Sequence, residues 1–109
     1  MDAILVKEQE SSTIVHVELG TRVTYNGEEY DALDFDFEKR TGADANNIEA
    51  ELQALGKPVL VPALSGDYLM RMAVKACVQP IGTDAFETMS LKAYNKIRTA
   101  ARNFLLNSD

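Results

Sequence analysis

The chain has 109 residues, 46% of them apolar, and a formal net charge of −6. This length suits one compact domain; we expect residues 13–109 to form it and residues 1–12 to be a flexible arm. No apolar run approaches the ~18 residues of a membrane-spanning helix, and the first residues lack the pattern of a signal peptide. The acidic balance disfavours nucleic acid as the main partner, because phosphate binding needs a clustered basic surface.

The first predicted element is an antiparallel β-meander of two or three strands. The segment "TIVHVEL" is rich in β-branched and apolar residues, and Gly20 is expected to end that strand. Asn26-Gly27 then lies between "TRVTY" and "EEYDAL". This dipeptide is typical of a type I′ hairpin turn, since both central positions need positive φ.

An acidic stretch, "LDFDFE", follows the hairpin. Its three apolar residues alternate with Asp34, Asp36 and Glu38, so we expect the apolar side chains on one face and the acids in solvent. The rival interpretation is a divalent-cation loop, which needs glycine at its sixth position and an acid at its twelfth. Counted from Asp34, those positions are Lys39 and Ala45. The sequence therefore predicts no metal site and no cofactor.

Three helices are predicted after the sheet, which makes the fold class α+β. Thr41 precedes "ANNIEAELQAL", whose apolar residues repeat at helical spacing, and Gly56 is placed to end this helix. Ser65 precedes "GDYLMRMAVKACVQ", which is apolar around most of its circumference and is expected to be the central helix, over residues 66–78. "PIGTDAFETM" is interpreted as a loop. Ser90 then precedes the last, amphipathic helix, "LKAYNKIRTAARNFLL".

The residue types needed for catalysis are sparse. His16 is the single histidine and has no thiol or second histidine near it in sequence, so a structural or surface role is favoured. Cys77 is the single cysteine, which excludes an internal disulfide, fits a reducing cytoplasm and favours a buried inert thiol. No glycine-rich phosphate loop or Ser/His/Asp spacing is present. The chain is therefore not predicted to be an enzyme.

Apolar surfaces for contact with another chain are the remaining candidates. Met70 and Met72 on the central helix could line an adaptable groove for a partner helix, with core filling as the alternative. The last helix offers a second surface, with docking onto the chain's own sheet as the alternative. The residues predicted to bind a partner are Met70, Met72, Leu91, Tyr94, Ile97, Phe104, Leu105 and Leu106.

Charge is distributed unevenly along the chain. Residues 1–54 hold 13 acidic and 4 basic side chains, net −9, whereas residues 55–109 hold 4 and 7, net +3. Two solvated faces of opposite sign explain this, and ordered contacts between copies in a homo-oligomer are the alternative.

The order of these features resembles the tail assembly chaperones of long-tailed bacteriophages and prophages. The resemblance spans residues 13–107 and is carried by "VTYNGEEYDALDFDFEKRTGAD", "SGDYLMRMAVKAC" and "SLKAYNKIRTAARNFLL". Its most specific pieces are "DFEKRTGAD", residues 36–44, and "FLL", residues 104–106.

The resemblance implies a non-enzymatic function in the bacterial host cytoplasm. Such chaperones coat the long, largely helical tape measure protein and keep it soluble until tail tube subunits polymerise around it. A frameshifted longer form recruits the tube protein, and the chaperone is absent from the mature virion. The alternative function is an acidic DNA mimic of the anti-restriction type, presenting the carboxylates of residues 28–38 as a row of phosphates.

Overall fold

The structure, a computed structural model, describes residues 14–107. Strands β1 (Val15–Tyr25) and β2 (Glu28–Phe35) form an antiparallel two-stranded sheet. Four helices follow: α1 (Gly42–Ala54), α2 (Gly66–Ala76), α3 (Thr83–Thr88) and α4 (Leu91–Asn107). The predicted α+β class is confirmed, and the short α3 lies in the segment expected to be a loop. The predicted arm, residues 1–12, lies outside the described residues.

The hairpin turn forms where the sequence places it. Asn26 has φ 52° and Gly27 has φ 83°, as a type I′ turn requires. The expectation that Gly20 ends a strand is wrong, because β1 continues to Tyr25. Gly20 has φ 75° and lies in a register irregularity between Glu18 and Val23. Here glycine allows a bulge that bends a continuous strand.

The segment after α2 returns to the sheet. Phe35 and Cys77 form an isolated antiparallel bridge. The Val78 N–H donates to the Asp34 carbonyl at 2.8 Å, and the Asp36 N–H donates to the Ala76 carbonyl at 2.8 Å. Because the backbone bonds to β2 from this point, α2 ends at Ala76 and not at Val78 as predicted.

The acids of "LDFDFE" do not all lie in solvent as predicted. Leu33, Phe35 and Phe37 are buried, as the alternation indicates, but Asp36 is also buried, at 8% exposure. The strand ends at Phe35 and the chain turns through a 3₁₀ segment, Phe37–Lys39, so the two-residue period stops there. Asp36 therefore faces inward, with Lys39 Nζ 3.7 Å from its Oδ2 atom.

Helix α1 begins at a reciprocal cap. The Thr41 side chain accepts from the Asp44 N–H at 3.3 Å, and the Asp44 carboxylate accepts from the Thr41 N–H at 3.0 Å. The Arg40 guanidinium spans this corner, donating to the Lys75 carbonyl at 2.9 Å and lying 3.8 Å from Asp44. The corner after β2 is thus tied to both α1 and α2.

Helix α2 is central, as predicted, and packs against α1 and α4. Its buried residues are Tyr68, Leu69, Met70, Met72, Ala73 and Ala76. Helix α4 covers the sheet and α2 with Ala93, Ile97 and Ala101. Within residues 14–107, no helix combines the length and the apolar character needed to cross a membrane.

Candidate functional site

The residues predicted to bind a partner divide into three groups by exposure. Met70, Met72 and Ile97 are buried in the core, with no more than 6% of each residue exposed. Tyr94, Phe104 and Leu105 are half-buried and pack against that core. Leu91 and Leu106 are exposed. The predicted set therefore mixes core residues with surface residues.

Half of the exposed large apolar side chains among residues 14–107 lie in the connector between α1 and α2, residues 55–65. They are Leu55, Leu60, Val61 and Leu64. Pro58 and Pro62 exclude a regular helix here, and the chain forms only a 3₁₀ turn, Pro62–Leu64. Leu60 is 90% exposed and Leu64 is 77% exposed.

The connector is held against the last helix by a defined contact. Arg102 Nε donates to the Ala63 carbonyl at 3.0 Å. Leu106, 65% exposed, follows Arg102 by one helical turn and so lies on the same face of α4. We call Leu60, Val61, Leu64 and Leu106 the connector patch. Sequence reasoning found only Leu106, although the run "VLVPAL" between two helices was a signal for the others.

A cleft of about 270 Å³ lies among the four helices. Its apolar lining includes Met70 and Tyr94 from the predicted set, together with Val74 and Phe86. Its charged lining includes Arg71 and Glu51, which form an ion pair at 3.2 Å. The volume is below that of usual small-molecule sites. The cleft therefore suits a side chain better than a cofactor.

On the sheet, His16 forms hydrogen bonds with Asp34 and Glu18. His16 Nδ1 lies 2.7 Å from Asp34 Oδ1, and His16 Nε2 lies 3.3 Å from Glu18 Oε1. Gln79 Nε2 donates to the second Asp34 oxygen at 3.0 Å. The pKa of His16 is raised, mainly by its hydrogen bond to Asp34 and to a smaller extent by that to Glu18. The pKa of Asp34 is lowered, mainly by its hydrogen bond to His16 and to a smaller extent by that to Gln79.

These contacts bear on the two acid-based interpretations. The Asp34 carboxylate is occupied and Asp36 is buried, so the acids of residues 28–38 do not form the continuous exposed row that a DNA mimic needs. Among residues 14–107, no group of three or more His, Cys, Asp or Glu side chains is arranged to hold a metal ion.

Cys77 lies at the junction between α2 and the sheet. Its thiol is partly buried, and burial raises its pKa from 9.0 to about 11. Its sulfur lies 3.8 Å from Gln79 Oε1. A thiol with this pKa is almost entirely protonated at neutral pH, and the protonated form is a poor nucleophile.

Comparison of the chain with protein-family models, curated proteins and solved structures gives no match. The candidate site is therefore defined by the described side chains alone, and the connector patch is its exposed apolar part.

Proposed function

We propose that this chain is a phage tail assembly chaperone that binds the tape measure protein and keeps it soluble during tail assembly. The observation that carries the proposal is the connector patch, an exposed apolar surface on an acidic domain. The order of sequence motifs described above, from "YNGEEY" to "FLL", supports the same function. In this proposal the protein acts in the host cytoplasm by transient contact and without catalysis.

The physical demands of this function agree with the patch. A long helical protein with apolar stripes aggregates when those stripes are exposed to solvent. Covering them needs a partner that offers apolar side chains but stays dissolved, which a net charge of −6 favours. The patch is small, so each contact is weak, and repeated contacts along one long ligand supply avidity while each copy remains displaceable.

Backbone hydrogen bonds fix the conformation of the connector, which favours the binding of a partner. The Leu64 N–H donates to the Val61 carbonyl at 3.0 Å, and the Ser65 N–H donates to the Pro62 carbonyl at 3.1 Å. With Arg102 bound to Ala63, the exposed side chains sit on a backbone that is already fixed. A preorganised surface loses less conformational entropy when it binds.

The experiment is co-expression with a tape measure protein, read as the soluble fraction of that protein after centrifugation. Wild type should keep it soluble, and the double variant Leu60→Asp/Leu64→Asp should not. Val78→Asp is the control, because Val78 is 55% exposed but follows α2 at the junction with the sheet, outside the connector and outside the residues predicted to bind a partner. Equal solubilisation by wild type and the double variant would reject the connector patch, and failure of the wild type would reject the function.

A further inference from the structure

Two arginines beside the connector patch have no carboxylate partner among residues 14–107. The Arg98 guanidinium donates to Asn95 Oδ1 at 3.0 Å and lies over the Tyr94 ring, 5.4 Å from its centroid. Arg102 donates to the Ala63 carbonyl. Neither Arg98 nor Arg102 takes part in the ion pairs of the described residues.

Both arginines border the apolar side chains. Arg102 contacts the middle of the 3₁₀ turn that carries Leu64, and Arg98 lies one helical turn earlier on the same face of α4. A Cβ atom added at Gly66, directly after the connector, would lie 2.7 Å from Arg98 Nη1. The patch thus has along one side two arginines that form no ion pair with a described carboxylate, although the whole chain is negative.

We propose that the connector patch binds an amphipathic helix whose apolar stripe is flanked by Glu or Asp residues. The helical form of the partner rests on the proposed function, whereas its acidic flank rests on the two arginines. Leu60, Val61, Leu64 and Leu106 cover the apolar stripe, and Arg98 and Arg102 face the carboxylates. Complementary charge of this kind selects partners and fixes their orientation.

The test compares two synthetic helical peptides that share one leucine stripe and differ only in their flanks, Glu in one and Lys in the other. Binding to the full chain is measured by fluorescence anisotropy at low and high salt. The Glu peptide should bind about tenfold more tightly at low salt, and added salt should narrow the difference. The net charge of −6 by itself favours the Lys peptide, so this result cannot arise from overall attraction.

Charge reversal gives the matched pair of variants. Arg98→Glu/Arg102→Glu should invert the preference, whereas Lys92→Glu/Lys96→Glu makes the same change in net charge on the same helix, beside β1, and should preserve it. Arg98→Gln/Arg102→Gln removes the charge but keeps hydrogen-bond donors. It should abolish the preference without loss of fold, as checked by circular dichroism.

The outcomes separate this proposal from the proposed function. Equal binding of the two peptides, or tighter binding of the Lys peptide, overturns the acidic partner even where a tape measure protein is kept soluble. A clear preference for the Glu peptide supports the acidic partner even where no tape measure protein is kept soluble. Self-association that Leu64→Asp abolishes, with neither peptide bound, would assign the patch to a second copy and overturn the proposal.

Discussion

The ring of Phe37 stacks on the ring of Phe104, with centroids 5.4 Å apart and an interplanar angle of 23°. Phe37 also stacks on Phe35 at 5.8 Å, and Phe35 lies 6.5 Å from Phe86. This row of rings joins the corner after β2 to α3 and to the end of α4. Phe37 and Phe104 belong to the two most specific segments of the resemblance, "DFEKRTGAD" and "FLL", so part of that resemblance maintains the fold.

Loss of this stacking should lower the free energy of unfolding. Phe37 is fully buried, so Phe37→Ala should cost about 3–5 kcal/mol, and the half-buried Phe104→Ala should cost less. The double variant should cost about 0.5–1.5 kcal/mol less than the sum, because both single changes remove the same ring contact. Urea denaturation measures all three values.

Leu106→Ala is the control for this cycle, since an exposed side chain should change stability by no more than about 0.5 kcal/mol. Additive costs for Phe37→Ala and Phe104→Ala would contradict a direct energetic coupling. A charge placed at Phe104 would unfold the end of α4, so its effect on partner binding would not identify a contact surface.

Local signals were sufficient for most elements of the fold. Positive φ at Asn26 and Gly27 specifies the hairpin, and the Thr41 cap specifies the start of α1. The Ser65 hydroxyl accepts from the Tyr68 N–H, and the Ser90 hydroxyl accepts from the Ala93 N–H, as their positions before helices indicated. Each of these interactions spans a few residues, so a short window of sequence contains all of its participants.

Features that depend on contacts between residues far apart in the sequence could not be predicted from short windows. The end of α2 at Ala76 depends on hydrogen bonds to Asp34 and Asp36, about forty residues earlier in the chain. The burial of Asp36 depends on where β2 ends. No periodicity within "LDFDFE" or "MAVKACVQ" contains that information, because it arises when the two segments meet.

The candidate site depends on burial, which is also a tertiary property. Met70, Met72 and Ile97 have the character of a contact surface in sequence, but the sheet and neighbouring helices cover them. Leu60 and Leu64 are as apolar, yet no element within residues 14–107 covers them, and they are 90% and 77% exposed. The two prolines of the connector explain this exposure, since they exclude a regular helix that could have turned Leu60 and Leu64 inward.

Cys77 should be unreactive in the folded protein. Its pKa of about 11, raised from 9.0 by burial, reduces the thiolate fraction at neutral pH by about a hundredfold. Modification by a disulfide reagent at pH 7.5 should therefore be slow in buffer and fast in urea, and the single cysteine makes the signal unambiguous. Equal rates in the two conditions would show that the thiol is exposed and ionised normally.

His16 should make stability depend on pH above its ordinary pKa of 6.5. The hydrogen bond to Asp34, and to a smaller extent that to Glu18, raises the pKa of His16. Between pH 6.5 and this raised pKa, the folded protein therefore keeps a proton on His16 that the unfolded chain has lost. The stabilisation is complete below pH 6.5 and is lost as the pH rises through the raised pKa. Asp34, whose pKa is lowered from 3.8, contributes above pH 3.8 and loses its contribution as the pH falls through the lowered value.

NMR titration of the imidazole protons checks this directly, because His16 is the single histidine. Its midpoint should lie above 6.5 in wild type, should fall in Asp34→Asn and should fall further in Asp34→Asn/Glu18→Gln. Added salt should reduce the shift, since the pair is exposed to solvent. The urea midpoint of wild type should decrease from pH 6 to pH 8 and that of His16→Gln should not. A wild-type titration midpoint at or below 6.5 would show that the bond between His16 and Asp34, at 2.7 Å, does not persist in solution.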